Sequence, residues 1–224
     1  MSVKWYAFIL VLLIASFAWA APRYGGFPPT EPDPGASAQG LRVFMVGDSI
    51  TATSGTGSTF HYPEMSRAYV QNEGISGTTT VSWSVGGEFG LTSGIGDFEA
   101  DIEGGNFDAV HIMLGVNDAN NLGPLSKASY KANLESIISQ IQAFSPTVSW
   151  IVLSKCGYGT STYDSDIDGY ADAVDEIAAA DSGVYVGFDL RLLERDSFYF
   201  DTFHPNLAGH QILKDWFEYY IIGR

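Results

Sequence analysis

Five short apolar, β-rich runs separated by helix-like patterns constrain the fold of this chain more than any other feature. They are Leu41–Val46, Thr79–Val85, Asp108–Leu114, Val148–Leu153 and Val184–Phe188. Between them, Lys127–Phe144 sets Leu134, Ile137, Ile138 and Ile141 at i, i+3, i+4 and i+7, which lines one helical face with apolar groups. Tyr163–Ala180 carries a similar stripe through Ile167, Tyr170, Ala171, Val174 and Ile177, and Leu207–Ile222 closes the chain as an amphipathic helix. Shorter helices are expected at Tyr62–Gln71 and Phe98–Ile102. Strands alternating with helices predict an α/β fold, a parallel sheet with helices on both faces.

In such sheets the functional crevice lies beyond the carboxyl ends of the strands. Three segments rich in turn residues fall at those ends. Gly47-Asp48-Ser49 follows the first run, Gly86-Gly87 the second and Gly115-Val116-Asn117-Asp118 the third. Asp201-Thr-Phe-His204-Pro205 comes from the loop after the fifth run.

Together these segments hold the parts of a nucleophilic site. A serine hydroxyl reacts only when a base takes its proton, and an imidazole oriented by a carboxylate is such a base. Asp201 and His204, three positions apart, can place the carboxylate at Nδ1 while Nε2 faces Ser49. Acyl transfer also needs donors for the developing oxyanion. Candidates are the backbone N–H of Ser49, that of a glycine after the second strand, and the side-chain amide of Asn117. Asp118 reads as a structural residue that bonds nearby backbone.

Gly47-Asp48-Ser49-Ile50, the post-strand glycine, Gly115-Val116-Asn117-Asp118 and Asp201-Thr202-Phe203-His204 resemble, in order, the four motif blocks of the SGNH hydrolase superfamily, the GDSL-type esterases and lipases. The resemblance runs from Val43 to Pro205. It implies a three-layer α/β/α, flavodoxin-like fold with a five-stranded parallel sheet. It implies Ser49 as nucleophile, His204 as base and Asp201 as the residue orienting it, with Ser49, a glycine and Asn117 as the oxyanion hole. Gly87 is assigned as that glycine because Gly87-Glu88 is similar to the family's glycine followed by a polar residue. Gly86 and the earlier Gly74-Ile-Ser-Gly77 stay open as alternatives. Gly47-Asp-Ser-Ile-Thr51, the glycine- and serine-rich sequence that follows it, and Tyr62 are together similar to carbohydrate esterases of this type. The expected activity is therefore hydrolysis of short acyl esters on carbohydrate, with lipid or aryl esters as the alternative. No cofactor is expected.

Other chemistries have less support. Gly-x-Ser-x-Gly is missing, so the α/β-hydrolase nucleophile elbow is not expected. Gly55-Thr-Gly57 and Gly94-Ile-Gly96 lack the flanks of a dinucleotide fingerprint, and no His-Glu-x-x-His or Cys-x-x-Cys supports a dedicated zinc site. A non-catalytic carbohydrate-binding module has no need of the Ser49, Asn117, Asp201 and His204 set. With 11 Lys and Arg against 26 Asp and Glu, the net charge is −15, which disfavours nucleic acid and anionic membranes as partners. The expected partner is a small-molecule or polysaccharide ester. Cys156 is the single cysteine and is expected to be a buried, inert thiol.

The N-terminus predicts export. Trp5 to Pro22 carries no charge, and Ala18-Trp-Ala20 places small residues where a signal peptidase reads them. Residues 1–20 are expected to be a signal peptide, giving a secreted or periplasmic protein; an uncleaved anchor is the competing reading. Residues 21–40, rich in proline and glycine, read as a linker, and 41–224 as the folded domain. Of the remaining histidines, His111 is expected in the core, His61 in a loop and His210 on the surface or in local packing of the last helix. Trp83 is expected in the core.

Overall fold

The computed structural model describes residues 40–52, 61–64, 66–89, 107–120, 123–145, 147–159 and 161–222. The expected signal segment, nearly all of the linker and the Phe98–Ile102 helix lie outside the described residues.

Five parallel strands form one sheet in the order β2-β1-β3-β4-β5. They are β1 (Arg42–Gly47), β2 (Tyr69–Asn72), β3 (Ala109–Met113), β4 (Trp150–Lys155) and β5 (Val184–Asp189). The helices are α1 (Thr80–Trp83), α2 (Val116–Asn120), α3 (Lys127–Phe144), α4 (Asp164–Ala180), α5 (Arg195–Phe198) and α6 (Leu207–Phe217). This is the flavodoxin-like strand order, in which chain direction across the sheet reverses between β1 and β3.

Side-chain alternation along the strands sorts the core into two layers. Phe44, Val46, Val110, Ile112, Ile151 and Leu153 face α3 and α4, where they meet Leu134, Ile137, Ile141, Ile167, Val174 and Ile177. Val43, Met45, Ala109, Met113 and Val152 face the other way, onto Leu213, Phe217 and Ile221. Burying each of the larger of these side chains stabilises the fold by roughly 1.5–3 kcal/mol. The stripes read from the sequence for α3 and α4 are the buried faces observed. After Phe217 the last helix widens into a π-helical turn, Glu218–Ile222.

Two expected elements are different. Thr79–Val85 is not a strand: Thr80–Trp83 forms a short helix closed by a capping box between Thr79 and Ser82. The cap satisfies backbone donors locally, and Trp83 is buried with Nε1 donating to Thr78 Oγ1 at 3.1 Å. Those tertiary contacts override the β-branched composition. The second strand instead lies within and just beyond the expected Tyr62–Gln71 helix, at Tyr69–Asn72, paired with Arg42–Met45. As an edge strand it is exposed or half-buried along its length and shows no apolar run.

Candidate active site

The nucleophile candidate sits at the end of β1, where the chain breaks from the sheet. Asp48 O accepts from Thr51 N and Ala52 N, and Asp48 Oδ1 accepts from Ile50 N at 2.9 Å. That turn holds Ser49 at the sheet edge, 7% exposed. The neighbouring strand β3 pairs Met113 with Gly47, so the loop into α2 starts beside the same edge.

His204 arrives from the opposite end of the chain on a tight hairpin. Tyr199 bridges Pro205, and Phe200 N–H donates to the His204 carbonyl at 3.1 Å. Asp201 Oδ1 accepts from the N–H groups of Phe203 and His204, both at 2.7 Å. The other oxygen, Oδ2, lies 2.8 Å from His204 Nδ1, and His204 Nε2 lies 2.9 Å from Ser49 Oγ. A carboxylate only accepts, so Nδ1 carries the proton and Nε2 is left to accept the Ser49 hydroxyl hydrogen. Partial burial alone raises the Asp201 carboxyl, but the His204 ring and the two backbone N–H groups outweigh it. Its pKa ends below the ordinary carboxylate value. Ser49, His204 and Asp201 thus form one hydrogen-bonded chain across 155 positions of sequence.

Asn117 is the second residue of α2, and its Nδ2 donates to Thr78 O at 2.9 Å. An amide nitrogen has two hydrogens, so one is left for a substrate. Asp118 does bond backbone as expected, but 38 positions away: it accepts from Thr80 N at 3.0 Å and from the Thr80 hydroxyl. Asn133 on α3 donates to Thr80 Oγ1 at 3.0 Å. These bonds tie α1, α2 and α3 together beside Asn117.

Gly87 is not brought to this group. Its N–H donates to Ser84 O at 2.9 Å, closing the turn after α1, and a donor so engaged does not serve an oxyanion. Besides the likeness of Gly87-Glu88, that assignment takes Thr79–Val85 as the second strand. The strand that pairs with β1 ends at Asn72, and the loop following it carries Gly74-Ile-Ser-Gly77. This loop lies over the Ser49 turn: Ile75 N–H and Thr78 Oγ1 donate to Gly47 O at 3.0 and 3.2 Å. Gly77 has φ +81°, and open space surrounds its Cα on the side where a Cβ would be. It directly precedes Thr78, whose carbonyl Asn117 holds.

Sequence reasoning missed Asn72. Its Nδ2 donates to Thr51 O at 2.7 Å and its Oδ1 accepts from Gly74 N at 3.0 Å, linking the serine turn to the Gly77 loop. An Asn two residues before a Gly is the one local signal for it, the pattern of an Asx turn.

Two buried acids lie close to the serine. Burial pushes Asp48 up to about 7, with a further rise from Asp118, despite the Ile50 N–H that opposes it. Asp118 is likewise raised by burial.

Cys156 and the other three histidines are buried. Burial pushes the Cys156 thiol well up, consistent with an inert role. His111 is in the core, 2.8 Å from Ser154 Oγ through Nε2, and burial brings it down to about 3. His61 and His210 are also fully buried, with ring centroids 4.6 Å apart. His61 therefore lines no open cleft, and His210 packs locally against it. A cavity between Ile141, Ser145, Trp150 and Gly183 lies at the amino end of β4, away from these groups, and no titratable side chain lines it.

Among the described residues no helix is long and apolar enough to cross a membrane. The GDSL-like lipase/acylhydrolase family matches residues 45–212 of the chain. No curated protein matches it. Among solved structures, the chain is similar to an active-site mutant of a family two carbohydrate esterase from Clostridium thermocellum, with TM-score 0.62 and 16% identity. That alignment covers 82% of this chain and 64% of that one, so the chain spans just under two thirds of that esterase. A lipase/acylhydrolase from Enterococcus faecalis aligns with TM-score 0.61 and 22% identity, over 82% of this chain and 96% of that one. A family 3 carbohydrate esterase from Talaromyces cellulolyticus gives TM-score 0.61 and 17% identity, over 81% and 96%. These identities speak for a shared fold. The family match covers most of the chain, and the chain belongs to the GDSL-like lipase/acylhydrolase family.

Proposed function

We propose that the chain is an exported serine esterase that removes short acyl groups, acetyl above all, from carbohydrate through an acyl-serine intermediate. One observation carries the catalytic part: the run of hydrogen bonds from Ser49 Oγ through His204 to Asp201, at 2.9 and 2.8 Å.

As Ser49 Oγ attacks the ester carbonyl, its proton passes to His204 Nε2. Asp201 holds the resulting imidazolium through Nδ1–H. The oxyanion takes hydrogen bonds from Ser49 N–H, Gly77 N–H and Asn117 Nδ2. His204 returns the proton to the leaving alcohol oxygen as the tetrahedral species collapses. Water then attacks the acyl-serine with His204 again as base, releasing the acid and restoring the Ser49 hydroxyl.

Two of the structural neighbours, the carbohydrate esterases from Clostridium thermocellum and Talaromyces cellulolyticus, support the carbohydrate substrate. The lipase/acylhydrolase neighbour supports the second reading, a lipid or aryl esterase on the same site. The uncharged run and Ala18-Trp-Ala20 support export, which a mature protein beginning at Ala21 by mass spectrometry checks.

The deciding experiment measures hydrolysis of p-nitrophenyl esters from acetate to palmitate by the wild type and Ser49→Ala, followed by acetate release from acetylated polysaccharides. The wild type is expected to favour acetate and Ser49→Ala to be inactive. Activity that rises with chain length overturns the acetyl reading. Equal rates for the two proteins overturn Ser49 as nucleophile.

A further inference from the structure

Phe200 is 50% exposed although it sits against His204. Its ring lies nearly parallel to the imidazole, with centroids 5.6 Å apart and planes 18° from each other. An exposed apolar side chain on its own is ordinary and needs no explanation. Phe200 differs in where it is and in how it is held. Its own N–H is bonded to the His204 carbonyl, and the adjacent Tyr199 bridges Pro205, so the hairpin that fixes His204 also fixes this ring. The second ring on the imidazole, Phe203, approaches edge-on at 6.4 Å and 77° and is packed against Gly159. One ring therefore builds the hairpin into the protein. The other presents apolar surface outward beside the base.

The place of that surface has a chemical meaning. His204 Nε2 hands its proton to the leaving oxygen, so the alcohol half of the ester lies on the His204 side of Ser49. A flat apolar ring there matches another flat apolar face: the C–H face of a pyranose or the face of an aryl ring. Small alkyl alcohols have no such face and cover little of it.

We infer that Phe200 is a binding platform for the cyclic alcohol of the ester, a specificity element for the leaving group. The inference rests on the esterase reading above. It separates the pair of rings by role, with Phe203 serving structure and Phe200 serving substrate.

The test compares kcat and KM of wild type, Phe200→Ala and Phe200→Tyr on three acetate esters: an acetylated methyl glucopyranoside, phenyl acetate and ethyl acetate. Each variant is scored against wild type on the same ester, which removes differences in leaving-group reactivity. Phe200→Ala is expected to raise KM for the ring esters by about 5-fold more than for ethyl acetate, the size of a lost aromatic contact. Phe200→Tyr is expected to restore it. A KM effect on the pyranoside identifies a sugar platform, and one confined to phenyl acetate an aryl platform. An equal fall in kcat on all three esters with KM unmoved overturns the platform and leaves Phe200 as a prop for His204. Wild-type kinetics for Phe200→Ala on every ester also overturns it. A folded wild type that hydrolyses none of the three removes the esterase reading itself, a different outcome from either.

Discussion

Phe203 fills the space that Gly159 leaves open. A Cβ on Gly159 lies 2.6 Å from Phe203 Cε1 and 2.6 Å from Asn120 Nδ2, well inside contact distance. Two residues earlier, a Cβ on Gly157 lies 2.9 Å from the Tyr199 hydroxyl. The loop after β4 is thus the seat of the hairpin that carries Asp201 and His204. Gly159→Ala is expected to displace Phe203 and lower kcat by about 100-fold, since a displacement near 1 Å of a reacting group has that effect. Circular dichroism reports whether the fold persists. A folded Gly159→Ala enzyme with wild-type kcat shows that the hairpin does not depend on this contact.

Asn117→Ala is expected to cost roughly 3 kcal/mol of transition-state stabilisation, read as a fall in kcat/KM of two orders of magnitude. Because Asn117 also holds Thr78 O, the variant should lose thermal stability as well. Turnover near that of the wild type removes Asn117 from the oxyanion hole.

The protonation of Asp48 makes stability depend on pH. Its carboxyl titrates near 7 in the folded protein and near 3.9 when unfolded, so the folded state holds the proton more tightly. The stabilisation it contributes is complete below about pH 4 and is lost as pH rises through 7. Asp48→Asn keeps the acceptor for Ile50 N–H but cannot ionise. Its stability advantage over the wild type is expected to widen from pH 4 to pH 8, by up to about 4 kcal/mol. Denaturant unfolding at several pH values measures this. A constant difference refutes the shift.

His210 gives the opposite slope. Burial, with the neighbouring His61 and His204, brings it down to about 3, against about 6.5 unfolded, so it is neutral in the native state. Its contribution is complete above pH 6.5 and falls as pH drops towards 3, by about 1.4 kcal/mol per pH unit. Wild type is therefore expected to lose stability relative to His210→Phe between pH 7 and pH 5. Parallel curves for the two proteins sink this assignment.

Much of the architecture is legible in the sequence. Strands β1, β3 and β4 are buried on both faces and β5 along most of its length, so they read as apolar runs, and α3 carries its core stripe between the expected residues. The turn at Ser49 is legible because glycine and aspartate interrupt an apolar run abruptly there, and the Asp201/His204 pair because it is local in sequence. Periodicity failed where an element is neither fully buried nor long. The edge strand Tyr69–Asn72 has no apolar signature, and Thr79–Val85 has one that belongs to a capped helical turn.

Sequence by itself determined the parallel α/β plan and which side chains have the chemistry for acyl transfer, since both follow from patterns within a few residues. Only the tertiary structure decided which glycine stands beside Asn117. The Gly77 loop is set by bonds from Ile75 and Thr78 to Gly47 and from Asn72 to Thr51, spanning 21 to 31 positions. No local pattern encodes such pairings, because they depend on where the edge strand docks. Gly87 has the right neighbours in sequence, but its N–H is already committed to Ser84, while Gly77 stands where β1, β2 and α2 meet.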